Sequence, residues 1–259
     1  MRSECLARAI LLFCGVFLAS NIVLARDPAH VSRLRQVKSW FILLDYDPAR
    51  YAPAPPDILR YDLAIFDPDS HPPLNPLRGR MLLVAYVSAG EAETYRPYWK
   101  RIKDRPWVLD ENPDWKENYR VDMRSEEWQD VLLDEVIPAV LRQGFDGLML
   151  DTLDVAAMLE ERFPDRFRGV KQAMVGLVRK IREKYPDLIL ISNNGYTILQ
   201  DLAPFLSGLL AEDIFMMPDF EHGGYKQVPA RDRFEKVRLL RSLRREHGVA
   251  VLNIDYVPP

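Results

Sequence analysis

Three consecutive apolar residues, Leu148, Met149 and Leu150, are followed directly by Asp151. An unbroken apolar run of this length predicts a short strand that is covered on both faces, as in a parallel sheet. Because an unpaired carboxylate is costly inside an apolar core, we expect Asp151 to lie at the open end of that strand. In parallel α/β folds the carboxyl ends of the strands carry the active site. This segment therefore constrains both the fold class and the place of the functional site.

Six further apolar runs end in the same way, at a polar residue. They are 40–44, 63–66, 81–85, 188–191, 208–211 and 249–254. Segments with helical periodicity separate several of the runs, as at 167–181, where apolar residues recur every three or four positions. Alternating strands and helices predict right-handed βαβ units and a parallel sheet.

Two parallel architectures fit this alternation, a doubly wound sheet and a (β/α)₈ TIM-type barrel. No glycine-rich phosphate loop follows any of the runs, which removes the usual nucleotide-binding mark of the first architecture. Polar residues end nearly every run, as is expected when the whole rim of a barrel forms the site. The sequence therefore favours an α/β fold of the (β/α)₈ barrel class.

Counting the runs leaves this barrel one strand short of eight. Either the segment 119–122 supplies the missing strand, or the chain lacks the last β/α unit, and we expect the second. On this interpretation residues 26–259 form a single barrel domain.

The N-terminal segment has the pattern of a secretory signal. Arg2 and Arg8 precede an apolar run at 9–25, and small or aliphatic residues at 23–25 suit a cleavage site. The alternative is an uncleaved membrane anchor, which the shortness of the run disfavours. Both cysteines lie in this segment, so the mature chain would contain no thiol. We expect residues 1–25 to be a signal peptide and the mature protein to be secreted or periplasmic, with no stable membrane insertion.

Charge and composition argue against several classes of function. The net charge of −3 provides no basic surface for nucleic acid. The four histidines have no metal-ligand spacing, and no Gly-x-Ser-x-Gly nucleophile motif occurs. The sequence therefore predicts no cofactor, no metal site and no nucleic-acid partner. An acidic rim can still hold Mg²⁺, which keeps a metal-dependent lyase as an alternative.

The strand-end carboxylates indicate glycoside hydrolysis, which needs one protonated and one ionised carboxyl group at the scissile bond. We choose Asp151 and Glu212 because they end the fourth and sixth runs, and alternate strands of a barrel project into shared layers. The apolar residues before Glu212 suit a general acid. Asp151 would then be the nucleophile of a retaining mechanism or the general base of an inverting one. A single strand-end carboxylate is also typical of helix caps and ion pairs.

Other polar and aromatic residues near the strand ends fit a sugar site, because aromatic rings stack on sugars and amides bond their hydroxyl groups. The candidate substrate-binding residues are Asp45, Tyr46, Asp67, Tyr86, Glu91, Asp154, Asn193, Asn194, Tyr196, Asp255 and Tyr256. Turn chemistry is the alternative for the aspartates near prolines and for the Asn-Asn-Gly segment. Four tryptophans fit either the core or a sugar platform. They are Trp99, Trp107, Trp115 and Trp128.

Two segments, 144–154 and 86–93, resemble the glycoside hydrolase family 114-like proteins, which are endo-α-1,4-polygalactosaminidases and their bacterial and archaeal relatives. Four shorter segments match in the same order, so that the resemblance extends from about Trp40 to Tyr256. They are 40–45, 192–195, 211–213 and 254–256. The most specific part is Asp151-Thr152-Leu153-Asp154.

The resemblance implies a (β/α)₈ barrel with Asp151 and Glu212 at the catalytic positions, in agreement with the pair chosen from the residues. It implies a secreted glycoside hydrolase that cleaves an α-linked, galactosamine-containing polysaccharide, and we expect a monomer. A carbohydrate-binding barrel without catalysis is the alternative from another class. Because a galactosamine polymer carries free amines, an acidic rim would also attract it electrostatically.

Overall fold

The computed structural model describes residues 29–49, 56–219 and 221–256. The strands formed by these residues are β1 Trp40–Leu43, β2 Leu63–Phe66, β3 Leu82–Ser88, β4 Glu91–Glu93, β5 Val108–Glu111, β6 Asn118–Val121, β7 Gly147–Asp151, β8 Ile189–Asn193, β9 Gly208–Glu212, β10 Met216–Pro218, β11 Tyr225–Gln227 and β12 Ala250–Ile254.

The α-helices in the same residues are α1 Ala29–Leu34, α2 Trp99–Ile102, α3 Glu126–Asp130, α4 Ile137–Gln143, α5 Asp154–Arg162, α6 Pro164–Phe167, α7 Val170–Lys184, α8 Leu199–Leu202 and α9 Ala230–His247. A π-helical segment, Val131–Val136, joins α3 to α4, and 3₁₀ turns occur at Pro56–Arg60 and Ala203–Phe205. The predicted signal peptide, residues 1–25, lies outside the described ranges. Within those ranges, no helix combines the length and the apolar character needed to cross a bilayer.

Seven parallel strands form the main sheet, in the order β1-β2-β3-β7-β8-β9-β12. This spatial order is also the order of the strands along the chain, whereas a doubly wound sheet reverses direction at a switch point. The seven apolar runs of the sequence correspond to these seven strands. The predicted barrel-type α/β fold is confirmed, and β1 and β12 are the edges of the sheet within the described residues.

The segment considered as an eighth barrel strand, 119–122, is part of another sheet. Strand β6 pairs antiparallel with β4 and with β5, and the three strands form a separate sheet. The option that this segment completes the barrel is therefore wrong. The physical reason is local, since a short connection between β5 and β6 allows them to pair as an antiparallel hairpin. The small sheet instead forms a wall beside the rim.

Apolar side chains alternate between the two faces of the main sheet. On the outer face, Leu148 and Leu150 pack in the same cluster as Val178 of α7. On the inner face, Met149 and Ile191 pack with Leu34 of α1. Helix α1 thereby fills the end of the barrel at which the strands begin. The carboxyl ends of the strands are left free to form a site.

Helix α4 ends at a glycine. Gly144 has φ = 98°, in the left-handed region that glycine adopts without strain. A Cβ atom at this position would also overlap the guanidinium group of Arg78. The chain then enters β7, in which residues 147–150 are buried and Asp151 is half-buried. Strand β7 therefore ends where the sequence predicts, with Asp151 at its open end.

Candidate active site

A cleft of about 990 Å³ opens at the carboxyl ends of the main strands. It is bordered by the ends of β7, β8 and β9 and by the wall formed by the small sheet. Most of the predicted site residues line this cleft. They are Asp45, Asp67, Tyr86, Glu91, Asp151, Asp154, Asn193, Asn194, Glu212 and Tyr256. The sheet topology thus gathers residues that are far apart in sequence.

Three residues predicted to bind substrate are not part of the cleft lining: Tyr46, Tyr196 and Asp255. The carboxylate of Asp255 accepts hydrogen bonds from the backbone N–H groups of Phe215 and Met216 at 2.7 and 2.9 Å. The hydroxyl of Tyr196 donates to the backbone oxygen of Glu212 at 3.4 Å. These contacts show the two side chains supporting the turn after β9.

The two predicted catalytic carboxylates are joined by one side-chain amide. Nδ2 of Asn193 donates to Oδ1 of Asp151 and to Oε1 of Glu212, each at 2.9 Å. The two oxygens therefore cannot be further apart than twice that distance. An oxygen–oxygen distance within this limit suits the spacing of about 5–5.5 Å between the carboxyl groups of retaining pairs. Asn193 is buried, so the bridge is shielded from bulk water.

Glu212 is held on several sides. The hydroxyl of Tyr256 donates to Oε2 of Glu212 at 3.0 Å. Oδ1 of Asn194 accepts the backbone N–H of Glu212 at 2.9 Å. Asn194 has φ = 47°, a left-handed conformation that asparagine tolerates better than most residues. Burial, followed by the charge of Glu212, raises the pKa of the Tyr256 hydroxyl, which therefore remains a donor.

Asp151 is held by the turn that follows β7. Its Oδ1 accepts the backbone N–H of Thr152 at 2.8 Å, and Thr152 has φ = 60°. Oγ1 of Thr152 accepts the N–H of Gly90 at 2.8 Å. A Cβ atom on Gly90 would lie 2.1 Å from the backbone oxygen of Thr152, so only glycine fits this approach. Tyr86 lies beside Asp151, and burial followed by this carboxylate raises the pKa of its hydroxyl.

Two further carboxyl groups in the cleft have pKa values above their usual range. Burial raises the pKa of Glu91, and the negative charges of Asp151 and Asp154 act in the same direction. Nδ2 of Asn112 donates to Oε1 of Glu91 at 2.8 Å and partly offsets this effect. Burial also raises the pKa of Asp154, as do the charges of Asp151 and Glu212. The cleft therefore carries more acidic groups than a two-carboxylate reaction requires.

The carboxylate of Asp67 is paired with a buried arginine, Arg96. Arg96 donates to both carboxylate oxygens of Asp67, at 2.9 and 2.6 Å. It also pairs with Asp69 and with Glu93, each at 2.7 Å. Sequence reasoning missed this arginine, although the spacing of three between Glu93 and Arg96 is a usable signal. The cluster carries one positive and three negative groups and stiffens the wall of the cleft.

The four tryptophans that fit either the core or a sugar platform lie in different environments. Trp107 and Trp128 are buried and pack together, with ring centroids 5.7 Å apart. Trp99 packs against Tyr119 at 4.8 Å. Trp115, by contrast, is 68% exposed and lines the cleft. Among the described residues, no group of three or more His, Cys, Asp or Glu side chains is arranged to hold one metal ion.

The sequence matches the profile of glycoside-hydrolase family GH114 over residues 23–259. The chain belongs to this family. Membership in GH114 confirms the family resemblance identified from the sequence.

Relatives of this GH114 chain occur in distant organisms. An uncharacterised protein of Thermotoga maritima is 32% identical over 186 residues, which cover 67% of this chain and 55% of that protein. An uncharacterised protein of Methanocaldococcus jannaschii is 31% identical over 186 residues, which cover 67% of this chain and 51% of that protein. The chain thus spans about half the length of these curated relatives.

Two solved structures share the fold. The glycoside hydrolase domain of PelA from Pseudomonas aeruginosa superposes with a TM-score of 0.70 at 24% identity, covering 86% of this chain and 85% of that one. Aspergillus fumigatus Ega3, crystallised in complex with galactosamine, superposes with a TM-score of 0.61 at 16% identity, covering 84% of this chain and 76% of that one. These likenesses agree with the barrel-type fold.

Proposed function

We propose that this protein is an exported glycoside hydrolase that cleaves an α-linked, galactosamine-containing polysaccharide with Asp151 and Glu212. The observation that carries the proposal is the amide of Asn193, which joins the two carboxylates at 2.9 Å each inside a large acidic cleft. Membership in GH114 supports the reaction class.

The short separation of the carboxylates favours a retaining mechanism. Asp151 attacks the anomeric carbon while Glu212 gives its proton to the departing glycosidic oxygen, so the C–O bond breaks as a glycosyl ester forms. Glu212, now ionised, takes a proton from water, and the water oxygen displaces Asp151 from the sugar. Both groups return to their starting protonation states, and the configuration at the anomeric carbon is retained.

The acidic cleft supports an amine-bearing substrate. Within the described residues, neither Glu91 nor Asp154 takes part in an ion pair, although both lie in the cleft lining with Asp151 and Glu212. A protonated amino sugar would add a positive charge beside these groups and would favour ionisation of the buried carboxyl groups. The complex of Ega3 with galactosamine is consistent with this choice of sugar for the family's fold.

Substitution of each carboxylate tests the reaction. Asp151→Asn and Glu212→Gln keep the shape of each side chain, and each is expected to lower cleavage of partly deacetylated galactosaminan at least about a thousandfold. Products are measured by mass spectrometry and as new reducing ends. Asp201→Asn and Glu183→Gln, two exposed carboxylates on α8 and α7, are matched controls. Full activity of either cleft variant would contradict the assignment, and binding without new reducing ends would indicate a carbohydrate-binding barrel.

Export and domain organisation belong to the same proposal. Residues 1–25 act as a cleaved signal peptide, and residues 26–259 form one barrel domain that works as a monomer outside the cytoplasm. Expression of the full chain with mass measurement of the exported product should give a new N-terminus at Arg26. Light scattering of that product should give the mass of one chain. An uncleaved N-terminus or a dimer would contradict the corresponding part.

A further inference from the structure

An exposed tryptophan stands in the wall of the cleft. Trp115 is 68% exposed, although the indole ring is large and apolar and is highly buried on average in proteins. It lies in the connection between β5 and β6 and faces the same cleft as the catalytic carboxylates. Tyr95, 57% exposed, lines the cleft as well. The acid–base chemistry of the proposed reaction uses neither ring.

The turn that carries Trp115 is held firmly by hydrogen bonds. The backbone N–H of Asn112 donates to the oxygen of Asn118 at 2.7 Å, and Thr94 donates to the oxygen of Glu117 at 2.9 Å. The N–H of Glu117 donates to Oε1 of Glu111 at 2.8 Å. A fixed turn has little conformational entropy to lose when a ligand binds. The exposure of Trp115 is therefore built into a rigid element.

The same turn is tied to the acidic part of the cleft. Asn112, which opens the turn, donates its side-chain N–H to Glu91 at 2.8 Å. Glu91 in turn feels the charges of Asp151 and Asp154. The turn that carries Trp115 is thus fixed to Glu91, which lines the same cleft as Asp151 and Glu212. This arrangement suits a binding position at a fixed distance from the cleavage point.

From this geometry we infer that Trp115 is the stacking platform of a separate sugar-binding subsite, which takes a pyranose ring of the polymer beyond the two units that flank the cleaved bond. The inference rests on the proposed function. The apolar C–H face of a pyranose buries against the indole ring, and water is released from both. At about 990 Å³ the cleft lies at the upper end of the range for small-ligand sites, which leaves room for several sugar units. The enzyme would therefore favour long chains over short ones.

Chain-length kinetics test this subsite. For the wild-type protein and for Trp115→Ala, kcat/KM is measured on long galactosaminan and on a short α-linked galactosamine oligosaccharide. The ratio of the two values should fall roughly threefold to tenfold in Trp115→Ala, the size expected for one lost aromatic contact. Trp115→Phe retains an aromatic face and should recover most of the ratio. Phe234→Ala is the matched control, because Phe234 on α9 is also 68% exposed but does not line the cleft.

A binding measurement gives a second readout. In an Asp151→Asn background, addition of long galactosaminan should protect tryptophan fluorescence from quenching by acrylamide, and Trp115→Phe should abolish most of this protection. An unchanged ratio together with unchanged protection would overturn the subsite while leaving the proposed reaction intact. Absence of cleavage by the wild-type protein on every glycan tested would instead contradict the proposed function itself.

Discussion

At the scale of single residues, one amide defines the centre of the site. Asn193 touches both carboxylates through the same nitrogen. The two contacts made by this nitrogen fix the spacing of the carboxylates. The single oxygen of the same side chain, Oδ1, is buried without a hydrogen-bond partner in the described part of the chain. The orientation of the Asn193 amide is therefore determined by its contacts with the two carboxylates.

Replacement of Asn193 should separate positioning from substrate binding. We expect Asn193→Ala to lower kcat about a hundredfold with a small change in KM, because its amide contacts the carboxylates. Asn193→Asp places a further carboxylate beside Asp151, which should move the acidic limb of the kcat profile to higher pH. The pH–rate profiles of both variants measure these effects. A rise in KM at constant kcat would instead support the role in binding substrate that the sequence suggests.

Glu91 should make the fold less stable at higher pH. Its pKa is raised in the folded state, so the folded chain binds more protons than the unfolded chain above the unfolded pKa of about 4.3. The contribution of Glu91 to the free energy of unfolding is fully present below that pH and decreases as the pH rises through the folded pKa. Glu91→Gln keeps the acceptor for Asn112 and removes this loss. We expect Tm at pH 7 to rise by about 2–4 °C, with no such gain at pH 4. Equal gains at both pH values would contradict this explanation.

At the scale of elements, the active-site turn depends on a close approach between two strand ends. The loop after β3 meets the turn after β7 where Gly90 bonds Thr152, and the backbone of Ala89 donates to the oxygen of Asp151 at 3.0 Å. A methyl group at position 90 would push these segments apart. The strand that carries Asp151, the proposed nucleophile, is therefore sensitive to a change that leaves both proposed catalytic groups in place.

Two glycine substitutions test this dependence. Gly90→Ala should lower the free energy of unfolding by about 1–3 kcal/mol and also reduce kcat, because a Cβ would lie 2.1 Å from the oxygen of Thr152. Gly176→Ala in α7 is the matched control, since nothing lies within 4 Å of its Cβ position. That change should stabilise the helix by about 0.5–1 kcal/mol. Urea unfolding and kcat measure both variants. Normal stability and activity in Gly90→Ala would contradict the close approach.

The strands and their polar ends could be predicted from local sequence, but the contacts between them could not. Runs such as 148–150 are apolar throughout, so their burial follows from composition. Strand β6 pairs with β4, which is not its neighbour along the chain, and the apolar pattern does not identify this partner. The bridge by Asn193 depends on the registers of β7, β8 and β9, which bring residues 151, 193 and 212 together. Side-chain pairing across strands is thus a property of the assembled sheet.

At the scale of the whole molecule, a nearly neutral chain carries an acidic cleft. The chain has a net charge of only −3, yet the cleft is lined by Asp45, Glu91, Asp151, Asp154 and Glu212. These acidic residues therefore lie together at the carboxyl ends of the strands. Such a cleft draws in a polycation over distances set by the Debye length.

Ionic strength should therefore control the encounter with polymer. Raising the salt from about 0.01 M to 1 M shortens the Debye length from about 30 Å to 3 Å, and kcat/KM on galactosaminan should fall at least about tenfold. An uncharged aryl glycoside serves as control and should show a much smaller decrease. If kcat/KM fell equally for the two substrates, or did not fall for either, long-range attraction would not guide the polymer.

The stereochemistry of the first product tests the two-carboxylate account most directly. The shared contact with Asn193 holds Asp151 and Glu212 at a separation that suits a covalent glycosyl intermediate. Proton NMR during the first minutes of hydrolysis should show the α-anomer of the new reducing end, before mutarotation produces the β-anomer. Initial formation of the β-anomer would contradict the assignment of Asp151 as nucleophile and the retaining mechanism built on it.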